Sequence, residues 1–446
     1  MKILVRIGVF FILSLFCLNS RVLAQSGDSA WTLEECITQA LDHNIQLQQM
    51  LLVNESQRID ILKAKAARYP SASASASQNF AWSKELLENN NYGPLEAGNS
   101  KNFGISSGVT LYNGFKINNT IRQSEISYRA GRFDTEAMKD DLRLQVLDAY
   151  LQVLYANEAV KNSSGQIKVT MEELRLAGER LTLGAISKSD YTLIKAQLAD
   201  EKLTLTNAGN QLVLYKLTLM QLMEISVSDP GNLQLAPLDT IITAYALGSS
   251  DSIYLQALQF RPEIKSAELN LQSAGLDINL ARAGAVPSLS LQGSLSTGYS
   301  STFGDISFND QISNRVNPAI GLSLSVPLYQ NRQVKSQVEK AYIGVRNAEL
   351  DVANTKNQLR KAIEQACTDV ISASKEYEAS LEKYRAQWES FQLSLEKFNQ
   401  GLINSVDFLY EKTNLIVAES TLLQSKYKLI YSIRILDFYR GKSLTE

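Results

Sequence analysis

The chain has 446 residues, of which 45% are hydrophobic, 20% charged and 8% aromatic; at roughly 150 residues per domain the length suggests three ordinary globules. Such a composition is neither disordered nor collagen-like, and a mean hydropathy of −0.13 excludes a bundle of membrane-crossing helices. Forty-four Lys and Arg against 46 Asp and Glu leave a net charge of −2, so the basic footprint that nucleic acid requires is missing.

Residues 1–24 read as an export leader. Lys2 and Arg6 form a basic start, Ile7–Leu18 is an apolar run broken only by Gly8 and Ser14, and Ala24 places a small residue before Gln25, the expected mature N-terminus. The run is shorter than the ~20 residues a spanning helix needs. Cys17 offers a lipoprotein reading, against which the bulky Phe16 stands. Removing Lys2, Arg6 and Arg21 takes the cations from 44 to 41 against 46 acids, a mature charge of −5.

From Leu33 to Arg68 apolar residues recur at spacings of three and four (Ile45, Met50, Val53), which predicts a helix. It holds His43, the only histidine, read as a structural helix residue; one imidazole gives almost no material for a metal cluster or a Ser-His-Asp triad. Cys36 and the distant Cys367 lack CxxC spacing and read as buried thiols, with a disulfide between them as the other possibility. The period then changes to two. Ala72, Ala74, Ala76, Phe80 and Trp82 alternate with serines and Asn79, and Phe103, Ile105, Val109 and Leu111 alternate with Ser106, Gly108 and Thr110. Strands are expected over about 71–83 and 102–112, with 84–101 as a long polar loop.

An internal repeat organises the remainder. Pro70-Ser71 recurs as Pro287-Ser288, Val109–Tyr112 aligns with Val326–Tyr329, and Gly184 and Asp190 align with Gly401 and Asp407, all 217 residues apart. Ala40–Ile45 falls on Ala257–Pro262 at the same offset. The chain therefore divides into the leader, a first copy at 25–225, a linker at 226–247 around Asp229-Pro230-Gly231 and Pro237, and a second copy at 248–446. In the second copy Ile253–Arg282 predicts a helix. Alternating runs over about 287–299 and 317–328 predict strands, joined by a polar loop at 300–316.

Each strand is about as long as a membrane-crossing β-strand, and its polar face is uncharged Ser, Gly, Gln, Asn and Thr. Four strands cannot close a barrel, and open edges cannot exist in lipid. Either several chains share one barrel, or these runs form a soluble sheet. Only eight prolines occur, leaving 95–229 and 328–446 without a helix breaker. From Ile363 through Ala366, Val370, Ala373, Tyr377, Leu381, Tyr384, Trp388, Phe391, Leu395 and Phe398 to Leu402 the apolar period approaches the heptad, so a long helix over 331–400 that wants helical partners is predicted. Gly401 would end it with a left-handed cap and Val406–Tyr439 would return antiparallel. The first copy does the same around Gly184, with Gly165 and Gly178 as softer breaks. Asp140-Asp141 and Glu172-Glu173 read as solvated on helix faces, and no phosphate-cradling Gly-rich loop occurs. The fold class is α+β, mainly α, with internal duplication, long antiparallel helical hairpins and four barrel strands; no enzyme activity or cofactor is expected.

This arrangement resembles the TolC-like outer membrane efflux protein family over nearly the whole mature chain. The marks are the two tip turns, Leu183–Asp190 and Gln400–Asp407, each a glycine followed six residues on by an aspartate, and the hairpin exits Leu111–Gly114 and Leu328–Asn331. The resemblance implies a homotrimer whose twelve strands form a barrel in outer membrane lipid above a periplasmic helical tunnel. It also implies a passive exit duct for efflux or type I secretion, working with a periplasmic membrane-fusion adaptor and an inner-membrane pump of RND or ABC type. By the same resemblance Asp407 matches the constriction aspartate, with Asp190 and Tyr410 beside it at the mouth, and Gly184, Ala185, Gly401 and Leu402 match the adaptor-docking tips. Tyr410 stands where the family often has a second acid, and Ile403 where some members have an arginine. The other functional class open to this sequence is a structural or adhesive coiled-coil envelope protein. Paired tip turns at one offset favour the duct.

Overall fold

A computed structural model describes residues 30–86, 92–226, 232–238, 248–303 and 306–444. The leader, Cys17, the expected N-terminus at Gln25 and most of the linker lie outside them. In chain order the elements are α1 (Leu33–His43), α2 (Ile45–Ala66), β1 (Ser71–Leu86), β2 (Tyr92–Tyr112), α3 (Lys116–Thr182) and α4 (Lys188–Leu222). The second copy supplies α5 (Ser250–Phe260), α6 (Pro262–Arg282), β3 (Ser288–Ser300), α7 (Phe308–Asn314), β4 (Asn317–Ser325), α8 (Gln333–Asn399) and α9 (Ser405–Tyr439).

Each opening helix is two helices, not one. Thr32 and Glu35 form a capping box that starts α1, and Asn44 ends it while its Oδ1 accepts the Leu47 N–H that starts α2. Arg261 takes the same backbone as Asn44, φ −61 and ψ 125 against −59 and 124. Pro262 then opens α6, where its missing N–H is harmless. Periodicity could not register a one-residue interruption.

The strands form one antiparallel sheet in the order β1-β2-β3-β4. Ser73 lies opposite Ser106, which lies opposite Ser294; Ala74, Ile105 and Leu295 line up beside them. Alternation puts the hydroxyls on one face and the apolar residues on the other. β1 and β2 run further than expected, because pairing continues through Ser83–Glu96 to Leu86–Tyr92 where a loop at 84–101 was predicted. Ladder hydrogen bonds belong to the backbone, so polar side chains did not stop them. A membrane crossing needs only about 9–11 residues, so this hairpin is longer than a crossing requires, and Lys84, Glu96 and Lys101 lie on its distal part. β4 ends at Ser325, three residues short of expectation. Between β3 and β4 the buried Gln311 of α7 holds Ser300 by accepting its N–H at 2.9 Å and donating to its carbonyl at 3.1 Å.

The long helices α3 and α8 have 67 residues each, and α4 and α9 have 35 each. At 1.5 Å per residue the longer pair reach about 100 Å. Gly165 and Gly178 do not interrupt α3; a mid-helix glycine costs about 1 kcal/mol, which packing over so many turns absorbs. Both long helices start after a left-handed residue, Phe115 at φ 62 and Arg332 at φ 63. Their bounds, and those of α4 and α9, fall at the offset separating Lys116 from Gln333. The apolar stripe of α8 lands on α9: Phe391, Phe408, Leu409 and Leu415 cluster with Tyr384, Leu395 and Phe398, while Trp388 is half exposed. Cys36 and Cys367 are free and buried in separate clusters, so no disulfide joins them. Burial pushes the Cys36 thiol up to about 12.

Candidate functional site

The two tip turns are near-copies in backbone. Gly184 has φ +71 and Gly401 has φ +73. The Ala185 N–H donates to the Arg180 carbonyl and the Leu402 N–H to the Lys397 carbonyl, each at 2.9 Å, which is the six-to-one closure of a glycine-terminated helix. A Cβ at either glycine would meet open space, so the left-handed φ demands glycine and crowding does not. Leu183 and Leu402 are 82% and 68% exposed, which leaves an apolar side chain in water at each tip, with Ala185 also exposed.

Beyond the turns the two copies differ chemically. Ser187 and Asp190 form a reciprocal capping box at the start of α4. The Ser187 hydroxyl and, across the gap between hairpins, that of Ser405 hold the Asp190 carboxyl below its usual range. At α9 the cap is Asn404, whose Oδ1 accepts the Asp407 N–H at 2.8 Å. The Asp407 carboxylate is exposed, without a hydrogen-bond or ion-pair partner among the described residues. It is therefore not the capping group, whereas Asp190 is. Tyr410, one turn on, is also exposed. Ile403 packs on the Phe391–Phe408 cluster, and the Arg180 guanidinium lies over the Phe398 ring at 5.6 Å. Asp190 and the second tip are thus brought together, while Asp407 and Tyr410 face outward from a single chain.

Deeper in the wall lies a polar node that the sequence reading missed. Lys412 Nζ of α9, with its side chain 4% exposed, sits 2.6 Å from Glu173 Oε2 and 3.6 Å from Glu201 Oε1. It also donates to Thr170 Oγ1 at 2.7 Å, and that hydroxyl donates to Glu201. Three helices, α3, α4 and α9, are tied there. Glu173 and Asp140 were expected to be solvated, but their side chains are only 11% and 17% exposed, the first paired with Lys412 and the second with Arg143 and Arg261; Asp141 does remain exposed. Glu172 does remain on the surface, paired with Arg175. A signal existed. Lys412 falls between Phe408 and Leu415, and Glu201 between Leu198 and Leu205, at positions of the apolar period.

A four-stranded sheet with one hydroxyl face, continued into helical hairpins of about 100 Å, defines a subunit of a barrel-and-tunnel channel. The model for the family described as "Outer membrane efflux protein" matches residues 36–223 and 253–439, one match per copy, and the chain belongs to that family. It is similar to the outer membrane protein TolC of Vibrio cholerae, with 24% identity over 440 residues, 93% of this chain and 92% of that protein. The toxin and drug export protein A of Aggregatibacter actinomycetemcomitans is 22% identical, covering 73% of this chain and 69% of its own. In fold the chain resembles the Campylobacter jejuni CmeC outer membrane channel, with a TM-score of 0.78 and 20% identity over 95% of this chain and 90% of that one. The open-state MtrE outer membrane channel of Neisseria gonorrhoeae gives 0.72 and 19%, over 92% and 89%. The protein is accordingly an efflux channel of the outer membrane with its helical tunnel in the periplasm, in a family that works with an adaptor and an inner-membrane pump.

Proposed function

We propose that three copies of this chain form one duct, that its helical tips dock a periplasmic membrane-fusion adaptor, and that an RND or ABC type pump feeds it. The observation that carries this reading is the sheet with two unpaired edges. β1 and β4 each have a neighbour on one side only, edges left open in lipid are prohibitive, and three such sheets give a twelve-stranded barrel. Fractionation tests it: a heat-labile trimer in outer membranes that co-purifies with an adaptor supports the duct, and a soluble dimer overturns it in favour of an envelope tether.

At the tips, Leu183-Gly184-Ala185 and Gly401-Leu402 supply the docking surface, because exposed leucines on rigid turns suit the apolar face of a helical hairpin. Replacing Gly184 or Gly401 with Val forces a β-branched residue into left-handed backbone, at about 1–2 kcal/mol. Export is expected to fall while trimers persist in outer membranes; full export at normal expression would remove the tips from the docking role.

At the mouth, three Asp407 carboxylates with Asp190 and Tyr410 nearby form the constriction, raising local cation concentration over anions while the Tyr410 rings narrow the opening. Asp407→Ala is expected to lower cation preference in planar-bilayer conductance. Unchanged selectivity would exclude the ring.

A further inference from the structure

The four places where the sheet passes into the helices share one chemistry. With five helical residues and the connection to the strand taken at each, they are 62–70, 113–120, 278–287 and 326–337. These 39 residues hold seven Lys and Arg and no Asp or Glu; at the chain's density of 46 acids in 446 residues, about four acids would be expected. The far end of the sheet is the reverse, with three cations and five acids over 84–101 and 300–316. We infer that this collar binds the headgroups of anionic phospholipid in the periplasmic leaflet of the outer membrane. Such binding depends on the outer membrane placement and not on the number of chains in the duct.

The apolar face of the sheet ends at this level. Tyr112 lies opposite Leu289, and Leu289 opposite Leu324, so Tyr112 closes the apolar row. The Phe115 ring meets it edge-on at 5.7 Å. Both rings are exposed, as are Tyr69 next to β1 and Tyr329 beyond β4, and exposed aromatic rings at the end of an apolar face sit where hydrocarbon gives way to headgroups. Five helical residues rise about 7 Å, and the headgroup layer of one leaflet is about 5–8 Å thick. The collar therefore matches that layer in depth, on the side where the tunnel enters the periplasm.

Among the described residues the helices supply acids to only two of the seven cations. Lys65 pairs with Glu125 at 2.8 Å and Arg332 with Glu339 at 3.5 Å, both acids standing further along α3 and α8. Lys63, Arg68, Lys116, Arg282 and Lys335 are exposed and have no carboxylate partner among the described residues. Arg68 donates to Asn118 Oδ1 at 2.8 Å and Arg282 to the Tyr342 hydroxyl at 2.6 Å. These neutral acceptors hold each guanidinium in place and leave its charge for a phosphate. The lysines carry theirs on flexible stems that reach along apolar surface to the headgroups. A basic residue near an anionic surface is worth about fivefold in affinity, so the three lysines together account for about a hundredfold.

The test is lipid binding by the full chain purified in neutral detergent, read by native mass spectrometry and by the temperature at which the assembly dissociates. Phosphatidylglycerol is expected to bind and to raise that temperature, and phosphatidylcholine at the same concentration to do neither. Lys63→Gln with Lys116→Gln and Lys335→Gln is expected to weaken phosphatidylglycerol binding by tenfold or more, whereas Arg at the same three positions keeps it. Without lipid the Gln variant should dissociate at the native temperature, which separates lost binding from lost folding. The three single variants, each expected to lose about fivefold, decide the matter if the triple one does not assemble. Lys84→Gln with Lys101→Gln and Arg315→Gln, at the far end of the sheet, should bind as the native chain does. Native affinity in the first triple variant, an equal loss in the far-end one, or equal binding of phosphatidylcholine overturns the collar. Displacement of the lipid by millimolar inorganic phosphate would mark a plain anion site, and preference for lipopolysaccharide would mark the outer leaflet; either result overturns the assignment.

Discussion

Lys412→Met is expected to cost the folded assembly about 3–5 kcal/mol, the penalty for stranding buried charge, read as a lower heat-dissociation temperature. The ammonium is the cation between Glu173 and Glu201, whose side chains are 11% and 6% exposed; without it two carboxylates share one dry site. Burial already raises the Glu173 carboxyl above its ordinary range, with Lys412 opposing the shift. A carboxyl whose folded pKa is raised gives its full stabilisation below the unfolded pKa and loses it as pH rises through the folded value. The deficit of Lys412→Met should therefore be larger at about pH 8 than at about pH 5. Adding Glu173→Gln and Glu201→Gln should recover most of the loss at neutral pH. An equal deficit at both pH values would assign the effect to lost packing.

Arg261→Met should be comparably severe, for a related reason at the opposite end of α9. Its guanidinium Nε donates to Glu263 at 2.9 Å, Nη1 lies 3.4 Å from Asp140, and the group stacks 4.3 Å from the Phe438 ring centroid. Removing it leaves Asp140 to Arg143 alone and unpairs Glu263, whose Oε2 is already buried without a donor. About 3–5 kcal/mol is expected. Arg261→Lys should recover only part of it, because an ammonium lacks the planar fork that stacks on Phe438 while pairing two acids. Asp140 sits above its ordinary range through burial, a shift Arg261 opposes. The variant should thus regain stability as pH falls and that carboxyl protonates; melting curves across the acid range decide it.

Much of this architecture was legible because it repeats. One offset links Pro70 to Pro287 and Gly184 to Gly401 in the sequence, and period-two runs mark the strands to within a few residues at the ends that join the helices. What escaped was what periodicity does not encode. Asn44 and Arg261 break helices through a single ψ angle, and the ladder beyond Ser83 is backbone pairing under polar side chains. Asp140 and Glu173 look like surface acids until the helices that bury them, contributed from the other copy, are in place. At the tips, the glycine turns were readable from residue type and spacing. That Asp190 caps its helix and Asp407 does not was unreadable, since both stand six residues after a glycine.

The first-copy core is not made of first-copy residues alone. Leu33, Cys36, Leu147 and Tyr150 pack in one cluster with Ile430, Phe438 and Leu444 from the far end of the chain, and the Tyr150 hydroxyl donates to the carbonyls of Trp31 and Ala236. The first copy by itself consequently has an open hydrophobic face where Ile430, Phe438 and Leu444 would pack. A chain cut before Ile430 lacks three members of that cluster, so such a truncation is expected to expose the apolar face of α1 and α3, read as faster proteolysis than the full chain.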